Sequence, residues 1–174
     1  LLYILLKKDL MFSFKIAKKE DLILVHQIAK NTWFKTYKSF ISKAQIDFMF
    51  EKMYAIEALE QQLIFENNNF IIAFIENKPC GFLSYKIIKD EPIIKLPKLY
   101  VLPNIHGKKI GSSLINQLAE IARKNNKCFI ELNVNRNNPA LLFYLKLEFS
   151  IIDTIDIPYY DFVLNDYLLQ KVVP

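Results

Sequence analysis

Glycine is scarce: the chain has three in 174 residues, where an average usage of about 7% would give roughly twelve. That scarcity excludes the glycine-rich nucleotide loops. A dinucleotide fingerprint needs G-x-G-x-x-G, which is absent, and a P-loop needs glycine five places before Gly107, where Leu102 stands, with Ser or Thr where Lys109 stands. Cys80 and Cys128 are too few for a disulfide scaffold. They read as small buried hydrophobes and set a reducing, cytoplasmic compartment as the expectation. No run approaches the ~18 consecutive apolar residues of a transmembrane helix, so no membrane partner is expected. No metal-ligand spacing is present either, and no metal is expected.

Against these absences, apolar residues make up 52% and charged residues 24% of the chain, the balance of an ordinary globular protein. The length fits one domain. Leu1-Leu2-Tyr3-Ile4-Leu5-Leu6 is apolar but short, and its lysines (Lys7, Lys8) follow it, the reverse of a secretory signal. With Met11 as a candidate start, residues 1–10 are expected to lie outside the fold and residues 11–174 to form the single domain. Charge is uneven. Residues 108–147 carry seven bases (Lys108, Lys109, Arg123, Lys124, Lys127, Arg136, Lys146) and two acids (Glu120, Glu131), whereas residues 148–174 carry Lys171 against Glu148, Asp153, Asp156, Asp161 and Asp166. Such a division suits an anionic ligand at the middle and a cationic one near the end.

Hydrophobic periodicity sets out the elements. Phe12 to Lys18 alternates as a strand. Glu20-Asp21 opens a helix with Leu22, Val25, Ile28 and Ala29 on one face. Ser42 and Gln45 form a capping box before Ile46, Met49, Phe50 and Met53, and a turn or two follows through Ile56, Leu59 and Leu63. Phe70–Ile75 and Cys80–Ile88 read as a hairpin turning at Asn77-Lys78-Pro79. Ile93–Val101 is a strand in which Pro97 demands an edge or a bulge. A loop over 103–111 leads to a helix over Ser112–Asn125, and Cys128–Val134 is a buried strand. Asn138 caps a helix with Pro139 at its first position. Ser150–Ile157 and Asp161–Lys171 close the chain as strands. The fold class is α+β: a mixed, mostly antiparallel sheet of about seven strands flanked by about four helices.

The segment Leu99-Tyr100-Val101-Leu102-Pro103-Asn104-Ile105-His106-Gly107-Lys108-Lys109-Ile110-Gly111-Ser112 carries the chemistry. A strand runs through a glycine-containing turn into an amphipathic helix, whose first amides have no internal partner and bind phosphate. Val101-x-Pro103 followed by a Gln/Arg-x-x-Gly-x-Gly/Ala pattern resembles the acyl-CoA signature of the GNAT superfamily of N-acetyltransferases. His106 stands where Gln or Arg is usual, Lys109 where the first glycine is usual, and Gly111 fills the last place. A second block, Asn137-Asn138-Pro139-Ala140-Leu141-Leu142-Phe143-Tyr144-Leu145-Lys146-Leu147-Glu148-Phe149, resembles the family's N-x-x-A-x-x-F-Y-x-K-x-G-F, with Glu148 in place of the glycine. The resemblance spans about residues 12–173. Within the superfamily, the stretches Trp33–Tyr37, Ser42–Tyr54 and Asp161–Val173 are similar to bacterial spermidine/spermine N-acetyltransferases.

The resemblance implies direct transfer of an acetyl group from acetyl-CoA, as co-substrate, to a primary amine in a ternary complex. The Val101 amide is then the oxyanion donor, a contact of a kind worth about 2.7–4 kcal/mol. Cofactor contacts are expected from Leu99, Tyr100, Val101, His106, Gly107, Lys108, Lys109, Ile110, Gly111, Ser112, Asn137, Tyr144 and Lys146. Tyr144 is the candidate general acid, since a phenol of pKa about 10 can protonate a thiolate whose acid lies near 8.5. Glu131, on the strand beside the slot with Asn133 on its face, is the candidate base, against a water chain. His26 is expected to be core or surface. The acidic run near the end offers an attraction for a polyamine, against a plainly solvated hairpin. A homodimer through the closing strands is a further expectation. The rival classes are an acyl-CoA sensor without turnover, which the lost glycines permit, and a basic nucleic-acid-binding module, which no motif supports.

Overall fold

The computed structural model describes residues 12–174; the leader expected over residues 1–10 lies outside the described residues. In chain order the elements are β1 (Phe12–Ile16), α1 (Leu22–Tyr37), α2 (Lys43–Tyr54), α3 (Ile56–Ile64), β2 (Asn69–Ile75), β3 (Lys78–Ile87), β4 (Ile93–Val101), α4 (Ile110–Lys124), β5 (Phe129–Asn135), α5 (Ala140–Lys146), β6 (Ser150–Tyr159) and β7 (Phe162–Val172). One seven-stranded sheet runs β1-β2-β3-β4-β5-β7-β6. Every neighbouring pair is antiparallel except β4 and β5. The α+β class holds, with five α-helices among the described residues instead of about four, because Ala55 is extended (ψ 148°) and breaks the run after Tyr54 into α2 and α3. None of the described helices is long and apolar enough to cross a membrane.

Two apolar cores flank the sheet. On one face Leu114, Leu118 and Ala122 of α4 and Tyr144 of α5 pack on Ile94, Leu96, Ile130, Leu132 and Leu169. On the other, Val25, Ala29 and Trp33 of α1 and Ile46 and Met49 of α2 pack on Phe70, Ile72 and Phe82. In β4 the alternation breaks: Ile94 and Leu96 face α4, and so do Leu99 and Val101, while Tyr100 faces α1. Pro97 sits at the break, opposite a register shift in β3 between Ser84 and Lys86. Because β4 is interior, the proline is accommodated by the bulge and not at an edge.

Several sequence boundaries move. The β2–β3 turn is Glu76-Asn77, both at positive φ (49° and 64°), and not Asn77-Lys78-Pro79. This is the two-residue hairpin connection that usually takes Asn-Gly. Strand β1 ends at Ile16, and α4 begins at Ile110, before Ser112. Asn138 caps α5 through its side chain, its Oδ1 accepting from Ala140 N–H at 2.9 Å. Of the two cysteines only Cys80 is buried, while Cys128 is exposed. His26 lies between surface and core, its Nδ1 2.7 Å from the Tyr54 carbonyl.

Gly81 lies opposite Val101 across the β3–β4 ladder. A Cβ there would stand 2.8 Å from the Tyr100 carbonyl oxygen, a backbone atom that cannot swing aside. Gly81→Ala is therefore expected to destabilise the domain by about 1–3 kcal/mol. Urea unfolding checks the loss, and an acetyl-CoA titration of the folded fraction should show weakened binding as β4 is pushed out of place.

Candidate active site

The parallel ladder of β4 and β5 lasts three residues, Ile93–Lys95 against Phe129–Glu131. Beyond it the strands part, and a cavity of about 1490 Å³ takes its lining from both faces of the sheet. Trp33, Tyr37, Tyr54, Tyr100 and Asp166 line it on the α1 face, and the turn before α4, Phe143 and Tyr144 line it on the other. Glu131 stands at the fork. Its Oε2 is 2.5 Å from Lys95 Nζ and its Oε1 accepts from Gln170 Nε2 at 2.8 Å. With both oxygens committed, the geometry makes Glu131 a brace holding β4, β5 and β7 together where the fork starts, and gives no support to its expected role as a base.

Past the fork the main chain of β4 presents donors. Leu102 N–H reaches the Cys80 carbonyl on the β3 side at 2.9 Å. Alternation in an antiparallel ladder then turns Val101 N–H the other way, toward β5, where the parallel ladder has already ended. The Val101 carbonyl, on that same side, meets His106 Nε2 at 2.9 Å, so His106 ties the turn to the strand end.

The turn delivers a second set of donors. Lys108 N–H is used by the Ile105 carbonyl (3.3 Å) and Ser113 N–H by the Lys109 carbonyl (2.9 Å). Ile110, Gly111 and Ser112 are the first residues of α4, whose amides have no intrahelical acceptor. With the helix dipole behind them they form an anion site. Gly107 (φ 83°) and Lys109 (φ 62°) both take the left-handed conformation that aims the turn. A Cβ on Gly111 would come within 3.0 Å of the Phe143 ring, so glycine there lets α4 and α5 close on each other. Of the residues expected to contact the cofactor, Leu99, Tyr100, Val101, His106, Gly107, Lys109, Ile110, Gly111, Ser112, Tyr144 and Lys146 line the cavity. Lys108 and Asn137 do not. Asn137 is exposed, and its backbone N–H bonds Asn135 Oδ1 at 3.0 Å; the neighbouring Asn138 pins the helix start instead.

Tyr144 is 8% exposed, and its burial pushes the phenol well above its ordinary pKa, so it stays protonated through the neutral range. The Tyr100 ring turns away from the expected cofactor side. It packs with Trp33, Tyr54 and Phe82, and its hydroxyl lies 3.2 Å from that of Tyr37. Burial also raises Tyr37, Tyr54 and Tyr100 well above the usual phenol value. Lys98 joins this face, donating to Gln62 Oε1 at 2.6 Å, and burial lowers its pKa to about 8. Sequence reasoning gave no role to Tyr37, although it ends the Trp33–Tyr37 stretch, and missed Lys98 and Gln62, which fall in no motif.

The acidic run is dispersed. Glu148 pairs with Lys171 at 3.1 Å, Asp156 pairs with Arg136, and Asp153 accepts from Thr154 N–H at 2.7 Å. Of the five acids, Asp166 alone lines the cavity. The basic segment is spent internally as well: Lys127 donates to the carbonyls of Ile88 and Glu91, and Arg123 to Glu120 and the Pro174 carbonyl.

A forked sheet with unpaired donors on one strand and a helix-borne anion site beside it defines an acyltransferase that uses a coenzyme A thioester. Residues 31–149 match the model of the acetyltransferase (GNAT) family, and the chain belongs to that family. It is 30% identical over 157 residues, 87% of this chain and 91% of the relative, to the spermidine N(1)-acetyltransferase of Thermoplasma acidophilum. Its structure is similar to that of the PaiA N-acetyltransferase of the same organism in complex with coenzyme A, with a TM-score of 0.81 and 26% identity over 93% of this chain and 99% of that one. A GCN5-related N-acetyltransferase from Rhodopseudomonas palustris shares the fold, with a TM-score of 0.78 at 19% identity over 92% and 94% of the two chains. The chain is thus an acetyl-CoA-dependent N-acetyltransferase, and the unpaired amides at the start of α4, with Gly111 clearing the approach of α5, fit that co-substrate.

Left-handed backbone costs a side-chain-bearing residue roughly 1–2 kcal/mol. Lys109→Gly should accordingly raise Tm by about 2 °C, and the β-branched Lys109→Val should lower it by about 4 °C or more. Scanning calorimetry of the two variants beside the parent checks both signs.

Proposed function

We propose that the acceptor is the primary amine of a small cationic molecule, a polyamine in the first instance, and that it attacks the thioester directly. Acetyl-CoA supplies an activated acyl group on a sulfur leaving group. The first amides of α4 and the Gly107 turn hold its pyrophosphate, with Lys109 and the rim residue Lys146 adding positive charge. Val101 N–H donates to the carbonyl oxygen as negative charge gathers on it. Tyr144 gives its proton to the departing sulfur. Its raised pKa makes that transfer uphill toward an ordinary thiolate, but a thiolate formed in the same desolvated slot is raised as well, which restores the balance.

The observation that carries the reading is the position of Val101 N–H. It is free of both neighbouring strands, between an anion-binding helix start and an aromatic pocket that contains a carboxylate. The polyamine part draws on the Thermoplasma relative's name and on the pairing of aromatic rings with Asp166 in that pocket, a setting that favours organic cations. Lys109 and Glu148 hold positive φ (62° and 64°) where the resemblance has glycine, so the lost glycines leave the turns in place; turnover is what separates the enzyme from the sensor reading.

Release of free coenzyme A, followed with spermidine, spermine, single amino acids and a peptide amine, is expected to show turnover with the polyamines. Thermal stabilisation by acetyl-CoA with no turnover on any amine would defeat the proposal. Tyr144→Phe should lower kcat about 100-fold or more and leave acetyl-CoA affinity unchanged; an unaltered kcat removes Tyr144 from the acid role.

A further inference from the structure

We infer that Asp166 is the general base of the transfer, taking a proton from the acceptor's ammonium group on the α1 face of the cavity. The inference rests on the N-acetyltransferase reading above and adds the proton acceptor that the reading lacks. Asp166 sits on β7 directly across from Asn135, the last residue of β5, beyond the fork. It is 9% exposed and lines the cavity. Leu164, two residues earlier on the same strand, packs in the α1-side core, so Asp166 shares the face of Tyr37 and Tyr100.

Its carboxylate is left without a partner. Among the described residues no ion pair or hydrogen bond holds it. Arg136, the cation that bears on it, donates instead to Asp156 and to the Ile155 carbonyl, and Arg136 Nε is buried with no partner of its own. The phenol of Tyr37 on α1 also bears on Asp166, and burial keeps it and the Tyr100 phenol on β4, whose hydroxyl it meets, protonated. A buried carboxylate is costly unless a cation or donor meets it. At the wall of a cavity that receives an ammonium, the substrate itself meets that need. Burial raises the pKa of Asp166 more than Arg136 lowers it, and the same desolvation lowers that of the bound ammonium, so the gap between donor and acceptor narrows from both ends. Glu131 is committed to Lys95 and Gln170, and Lys98 Nζ is donating to Gln62 Oε1.

The protons balance. The ammonium gives one proton to Asp166, which later releases it to water. The freed nitrogen lone pair forms the C–N bond and the C–S bond breaks. The sulfur takes the Tyr144 proton, and the second nitrogen proton returns the phenolate to phenol.

The experiment compares the parent protein with Asp166→Asn and Asp166→Ala, on spermidine and on trifluoroethylamine, an amine already neutral at pH 7. The expected result is that Asp166→Asn loses about 100-fold in kcat on spermidine at pH 7. That deficit should shrink roughly tenfold per pH unit as spermidine deprotonates by itself, and nearly vanish with trifluoroethylamine. In Asp166→Ala, added formate should restore part of the spermidine turnover, an effect that a merely structural carboxylate would not produce. An equal, pH-independent loss on both amines, or full activity of Asp166→Asn on spermidine, overturns the inference and leaves the acetyltransferase reading standing. A parent protein that acetylates neither amine overturns the small-amine reading and this inference together.

Discussion

The site depends on the brevity of the β4–β5 ladder. Two parallel strands share only three paired residues before they part. Pro97, just past the last pair, lacks an N–H to offer β5 and carries the bulge that lets β4 veer off. The Lys95–Glu131–Gln170 cluster stops the fork from running further down the sheet. A longer ladder would pair the Val101 amide and remove the donor. A missing brace would let the interior sheet open into the core beneath, where Ile94, Leu96 and Ile130 are almost fully buried. What makes the structure reactive is therefore a hydrogen-bond ladder that stops at one place.

Glycine scarcity acts on the same place from the backbone side. Among the described residues eight other than glycine adopt positive φ, four of them Asn or Asp (Asn67, Asn77, Asp90, Asn126), the side chains that tolerate it best. The costlier ones include Lys109 and Glu148, the two positions where the family pattern has glycine. All three remaining glycines border the fork or the turn above it. Gly81 admits the Tyr100 carbonyl, Gly107 takes φ 83°, and Gly111 admits the Phe143 ring. A chain biased away from glycine has kept it where a Cβ would block strand pairing or helix contact, or where the turn needs an unusual φ.

Much of this could be read from the sequence, because it is local. The strand–turn–helix around Gly107, the Asn138 cap and the inward face of α4 each follow from residues within a few positions of one another. The sequence went astray where a role depends on what lies across the sheet. Glu131 has the right strand parity to face the slot, but nothing in the chain announces that Lys95 and Gln170 will meet it from the two neighbouring strands. Tyr100 belongs to the right motif, and its ring points to the wrong face because a bulge at Pro97 reverses the alternation. The acidic run looked like one feature, but Glu148 precedes β6 and pairs with Lys171, Asp153 and Asp156 lie on β6 with different partners, Asp161 is in the β6–β7 turn, and Asp166 is on β7. Only Asp166 is left facing the cavity, and its neighbours Tyr37 and Tyr100 come from α1 and β4.

The two halves of the cavity differ in the sign of charge they tolerate, and that difference orders the chemistry. On the α4 side the polar groups are helix-start amides and the lysines Lys109 and Lys146, a setting hostile to an ammonium and favourable to phosphate. On the α1 side the Asp166 carboxylate, with no ion pair among the described residues, sits among aromatic rings that favour an organic cation, while Lys98 is turned to Gln62. The sheet lies between them, open only past the fork. In the proposed reaction an anionic co-substrate and a cationic acceptor would approach from opposite faces, their reacting atoms meeting where the β4 backbone is unpaired. In that reaction the bare stretch of β4, lying between the helix-start amides on one face and Asp166 with its aromatic neighbours on the other, would contribute a hydrogen-bond donor and no charge of its own.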